Sequence, residues 1–153
     1  MDVRIDSVPL MRVAFMRHVG PYSEVGQTWG KFMSWAWPKG LVGRETKVLG
    51  LVHDDPEVTP SDRVRYDACI VVGSGFEPQG EVGVQELGGG KYAISTHRGP
   101  YEGLADTYAR LCGQWLPAAG YELRSAPAFE LYRNSPQDTA RDDLLTDIYL
   151  PVA

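Results

Sequence analysis

The chain has 153 residues, 43% of them hydrophobic and 23% charged, which suits one globular domain with its own core and excludes disordered and fibrous classes. A formal net charge of −5 without a dense Lys/Arg run excludes direct nucleic-acid binding, and no segment nears the roughly 18 apolar residues of a membrane span. The start lacks a signal-type pattern, so a cytoplasmic location is expected.

In chain order, a β-rich run from Met11 to Arg17 leads into "HVGPYSEVG" at His18 to Gly26. Proline there ends the ladder and presets a first helical turn. The predicted helix carries Tyr22, Val25, Trp29, Phe32 and Ala36 at the three-and-four spacing of one buried face, and stops near Trp37-Pro38 with Gly40 beyond. Two strands follow, Lys47 to Val52 and Arg65 to Val72, joined by the turn-rich "HDDPEVTPSD". Gly73 to Gly90 is a link with a candidate extra strand in "EVGVQEL".

The pattern then repeats. A strand from Lys91 to Thr96 runs into "HRGPYEGLA" at His97 to Ala105, and a helix striped with Tyr101, Leu104, Tyr108, Leu111 and Trp115 ends near Leu116-Pro117 and Gly120. Strands Ala128 to Arg133 and Leu145 to Val152 flank "RNSPQDTARD". His18 aligns with His97, Thr28 with Thr107 and Trp29 with Tyr108; one residue out of step, Pro56 aligns with Pro136 and Asp67 with Asp147. A period of about 80 present twice implies two copies of one small module. The expectation is one α+β domain over 1–153, built from repeats at about 1–79 and 80–153: a tandem β-α-β-β duplication with an antiparallel sheet, two helices on one face and a central cleft.

One position breaks the symmetry. In "AFELYR", Phe129 and Leu131 match Leu49 and Leu51 and are expected to pack under a helix, whereas Glu130 and Tyr132 match Gly50 and Val52. Fold maintenance would be symmetric across a duplication, so a carboxylate opposite a glycine needs another reason. Alternation in "LLTDIYLPV" puts Asp147 and Tyr149 on one face, and the four residues Glu130, Tyr132, Asp147 and Tyr149 are expected to share it. That surface reads either as a solvated sheet face or as a pocket lining.

Cys69 and Cys112 sit in apolar segments and read as reduced thiols. The three histidines do not cluster, so no metal site is expected, and the Gly-rich turns lack phosphate-loop spacing, so no cofactor is expected. His18 and His97 are expected to hydrogen-bond at their strand ends.

"HRGPYEGLADTY", "AGYEL", "FELYRNSPQDT" and "LLTDIYLPV" together resemble the GyrI-like small-molecule-binding family, the bacterial transcription activator effector-binding domain, over the whole chain. The resemblance implies the tandem fold, of SHS2 type, around a cleft for bulky aromatic, often cationic, compounds. Related domains form the sensing half of multidrug-responsive and AraC-type regulators; because the chain starts at strand one, a stand-alone member is expected. The family's cleft acid falls on Glu130 and a last-strand tyrosine on Tyr149, with Tyr132, Asp147, Tyr101, Tyr108, Trp29 and Tyr22 as further ligand-binding candidates.

Three functions follow from the resemblance. The first is binding or sequestration of a cationic aromatic molecule, with Glu130 as the charge partner. The second is hydrolysis of cyclopropane-containing DNA-alkylating natural products, with Glu130 as general base and Tyr149 or Tyr101 steadying the developing phenolate. The third is inhibition of DNA gyrase through a protein contact, for which Trp35 and Trp37, off the helical stripe, are candidates. Gyrase or a regulator is then the protein partner.

Overall fold

A computed structural model describes all residues, 1–153. In chain order the elements are strands β1 (Arg4–Ser7) and β2 (Met11–Val19), helix α1 (Val25–Ala36), and strands β3 (Val48–Val52), β4 (Arg65–Val71), β5 (Gly83–Leu87) and β6 (Lys91–Arg98). Helix α2 (Leu104–Arg110) continues through a π-turn at Leu111–Trp115 into α3 (Leu116–Ala119), and β7 (Ala128–Tyr132) and β8 (Leu145–Pro151) close the chain. This is an α+β fold of antiparallel strands with the β-α-β-β module written twice. No helix is long and apolar enough to cross a membrane.

The chain divides into a continuous unit, Leu10–Gly88, and a split unit, Met1–Pro9 with Gly89–Ala153. Strand order is β3-β4-β2-β5 in the continuous unit and β1-β6-β8-β7 in the split one. These units differ from the sequence repeats because the leading strands are exchanged. Strand β1 precedes the first module but pairs with β6, Arg4 against Ile94, while β5 precedes the second module but pairs with β2, Met11 against Leu87. Each module thereby gains a short edge strand.

The repeated Gly-Pro-Tyr turn has one physical cause in both units. Gly20 and Gly99 sit at φ +139° and +118°, where a β-carbon would be strained. That conformation aims their amides at the carbonyls of Val64 and Leu144, each at 2.8 Å. Pro21 and Pro100 then open single 3-10 turns, Tyr22–Glu24 and Tyr101–Gly103. The preceding histidines pin the junction as expected: His18 Nε2–H donates to the Pro21 carbonyl at 3.0 Å and its Nδ1 lies 2.9 Å from the Thr28 hydroxyl. His97 repeats this with Pro100 at 2.9 Å and Thr107 at 2.8 Å.

Each unit has its own core. Helix α1 lays Phe32 and Ala36 on Ala14, Met16, Ala68 and Ile70, with Trp29 and Tyr22 alongside. In the split unit Leu111 and Leu116 meet Ala93, Ile148, Leu150 and Val152. Phe32 and Leu111 are 79 positions apart, Ala36 and Leu116 are 80. The one-residue slip between the repeats is therefore absorbed by the π-turn, which takes an extra residue without unwinding the helix. As a result Leu116, rather than Trp115, occupies the inward position, and Trp115 stacks on Tyr121 with centroids 5.7 Å apart.

Trp35 stacks on Phe32 at 6.1 Å and Trp37 is 60% exposed. Neither Cys69 nor Cys112 is in a disulfide.

Candidate functional site

Cross-strand partners share a face, and the register places Glu130 opposite Ile148 and Tyr132 opposite Thr146. Ile148 belongs to the helix-covered core, so Glu130 and Tyr132 project toward the helix. Tyr108 comes down from α2 on the same stripe as Leu104 and Leu111. Its hydroxyl donates to Glu130 Oε2 at 2.8 Å, and the Tyr132 hydroxyl donates to Oε1 at 2.7 Å. Tyr101, held by the Gly-Pro turn, packs edge-on against Tyr132 with centroids 5.7 Å apart.

Glu130 is 6% exposed, and no lysine or arginine forms an ion pair with it. Burial pushes its carboxyl above the usual range; the two tyrosine hydroxyls and the nearby His97 pull it back only in part. Tyr101 is likewise pushed up, first by burial and then by the Glu130 charge. The centre is a desolvated acid held by neutral donors, an arrangement suited to accepting a positive charge.

Other expected residues lie elsewhere. Phe129 pairs with Tyr149 and Leu131 with Asp147, so Asp147 and Tyr149 occupy the sheet face opposite Glu130 and Tyr132, and the expected four-residue surface does not form. The expectation that Phe129 and Leu131 pack under the helix is overturned with it. Phe129 is as buried as Ile148, so hydrophobicity could not tell the two faces apart. Tyr149 stacks on Phe129 at 4.5 Å beside Tyr92, and Asp147 accepts from the Thr96 hydroxyl at 2.6 Å. Of the candidate hydrolytic set, Tyr101 and Glu130 share a face; Tyr149 does not.

Trp29 and Tyr22 occupy the Tyr108 and Tyr101 positions of the continuous unit. Gly50 stands where Glu130 would be, opposite Ala68, and Tyr66 stands where the split unit has Thr146. Trp29 Nε1–H donates to the Tyr66 hydroxyl at 2.9 Å, and the Tyr22 hydroxyl donates to the Asp54 carbonyl. One copy sets a large ring beside glycine; the other sets a carboxylate beside a small threonine.

Two functional-grade features escaped the sequence reading. Thr146 is fully buried and its hydroxyl has no hydrogen-bond partner; the signal was its alignment with Tyr66, a change as large as Gly50 for Glu130. The second is Asp67, fully buried, with Arg17 Nε and Nη2 donating to it at 2.8 and 3.0 Å, His53 Nε2 at 2.7 Å and Gln85 at 2.8 Å. These donors outweigh its burial and hold the carboxyl down at about 2. A groove of about 540 Å³ opens where β1 begins beside β6, lined by Arg4, Ile94, Thr96, Thr107 and Arg110 among others, and Glu130 is not part of its lining.

The GyrI-like small molecule binding domain matches residues 1–153. The chain is 31% identical to the probable transcriptional regulator YgiV of Escherichia coli, covering all of this chain and 97% of that one. It is 27% identical to the DNA gyrase inhibitor of the same organism over 99% and 97% of the two chains. Among solved structures, the EcmrR C-terminal domain has a TM-score of 0.84 at 20% identity, covering 99% and 97%. SAV2435 bound to tetraphenylphosphonium has a TM-score of 0.62 at 16% identity, covering 100% and 94%.

Proposed function

Because the chain belongs to the family of GyrI-like small molecule binding domains, we propose that Glu130, with Tyr108, Tyr132 and Tyr101, binds bulky aromatic organic cations. One observation carries this reading: the acid is almost fully buried and held by two tyrosine hydroxyls, with no lysine or arginine paired to it. An arriving cation supplies the missing charge, and each tyrosine face adds about 0.5 to 2 kcal/mol of attraction depending on desolvation. The neighbour of the same fold bound to tetraphenylphosphonium is consistent with this ligand class.

The test is a titration of wild type and Glu130→Gln with tetraphenylphosphonium and with neutral triphenylphosphine oxide. The variant is expected to weaken the cation by about tenfold or more, roughly 1.4 kcal/mol, and to leave the neutral compound within about threefold, under 1 kcal/mol. Equal losses for both compounds would remove Glu130 as the charge partner. The mass of the recovered ligand distinguishes binding from turnover.

A further inference from the structure

The Thr146 hydroxyl is buried and has no hydrogen-bond partner. On β8 it lies between Tyr132 and His97, its partners on either side. The Tyr132 hydroxyl donates to Glu130 Oε1. Both ring nitrogens of His97 are engaged, with Thr107 and with the Pro100 carbonyl. Thr146 therefore keeps a buried hydroxyl without a partner, a state that folded proteins seldom retain without a reason.

The other copy supplies the contrast. At the equivalent position Tyr66 meets Trp29 Nε1–H at 2.9 Å, and the acid is replaced by Gly50. Where the carboxylate is absent, the neighbouring hydroxyl is satisfied; where it is present, the hydroxyl is left open. Thr146 is one step diagonal from Glu130 across β7 and β8, a separation of about 7–8 Å between β-carbons. Both side chains project from the same face of the sheet, under the helix.

Resting on the proposal that Glu130 binds a cation, we infer that Thr146 is a specificity-determining residue that makes this site select primary ammonium groups, which carry three N–H bonds, over quaternary onium ions of similar bulk. A protonated amine donates a charge-assisted hydrogen bond to Glu130, whose oxygens each hold only one tyrosine donor and retain further lone pairs. The same head group can satisfy Thr146. A quaternary ion carries its charge behind four carbon substituents, donates nothing, and leaves the hydroxyl unpaired. A site with a hydrogen-bonding group discriminates against the analogue that cannot use it.

The experiment compares 3,3-diphenylpropylamine, a primary amine protonated at pH 7 with N–H donors for both Glu130 and Thr146, with its N,N,N-trimethyl quaternary salt, by calorimetric titration of wild type, Thr146→Val and Glu130→Gln. Wild type is expected to bind the primary amine about fivefold tighter or more. Thr146→Val should reduce that ratio toward one while leaving the quaternary affinity unchanged, and Glu130→Gln should weaken both. Without ligand, Thr146→Val should melt at or above the wild-type temperature, since it replaces an unpaired buried hydroxyl by a methyl group. Equal wild-type affinities, an equal loss of both ligands in Thr146→Val, or a lowered melting temperature in that variant overturns the assignment to Thr146. Binding that survives unchanged in Glu130→Gln, or no binding of either compound, overturns the underlying cation site instead.

Discussion

At the residue scale the two buried acids respond to pH in opposite directions. Glu130 has its folded carboxyl raised by burial, so its contribution to stability is fullest below the unfolded carboxyl value and is lost as pH rises through the folded one. The melting temperature of Glu130→Gln minus that of wild type should therefore increase between pH 4 and pH 8; a flat or falling difference would show that the acid is not strained by its surroundings. Asp67, held at about 2 by His53, Arg17 and Gln85, contributes roughly 2 kcal/mol above the unfolded value that disappears as pH falls from about 4 toward 2. Replacing it with alanine leaves Arg17 and His53 without their acceptor; because Arg17 is partly exposed and can rehydrate, the expected loss is about 1.5–3 kcal/mol in denaturant unfolding at pH 7. Tyr108→Phe removes one of the two donors on Glu130, an expected loss of about 1.5–3 kcal/mol at pH values where the acid is ionised.

At the element scale, alternation identified the strands but not which side of each one met a helix. Leu49, Leu51 and Phe129 are buried to the same degree as the helix-facing Ile70 and Ile148, so a period of two could be read in either phase, and only the pairing of Glu130 with Ile148 decides it. That is why Glu130, Tyr132, Tyr108 and Tyr101 converge while Asp147 and Tyr149 stand apart. The helix in the split unit tells a complementary story. Its stripe was legible through Leu111, and the one-residue slip between repeats was visible, but nothing in the letters located the slip until the turn at Leu111–Trp115. Deleting Gly113, which has open space around it, should restore a plain α-turn and change unfolding free energy by no more than about 1 kcal/mol. Deleting Ala105 instead should move Tyr108 off Glu130 and destabilise the protein by several times that amount, roughly 3 kcal/mol or more. Comparable losses from both deletions would contradict the placement of the extra residue.

At the scale of the whole molecule, duplication was plain in the sequence because both copies keep the same junction chemistry: a pinned histidine, a glycine with positive φ and a proline. The exchange of leading strands was not, since β1 and β5 are short, four and five residues, and pairing partners so far apart leave no local signature. The exchange carries a prediction. Removing residues 1–9 takes the edge strand from Lys91–Ile94 and should speed amide exchange along β6 while leaving β2 and β4 protected, because those strands belong to the continuous unit. Uniform loss of protection across both sets of strands would show instead that the units open together.

During synthesis, Arg4–Ser7 leaves the ribosome ahead of Leu10–Gly88, yet the segment it must join, Lys91–Ile94, is made only after all of that unit. At ordinary translation speeds that is a wait of about ten seconds. Strand β1 thus finds its place later than the unit that follows it in the chain, and the nascent polypeptide must carry it unpaired while that unit takes shape.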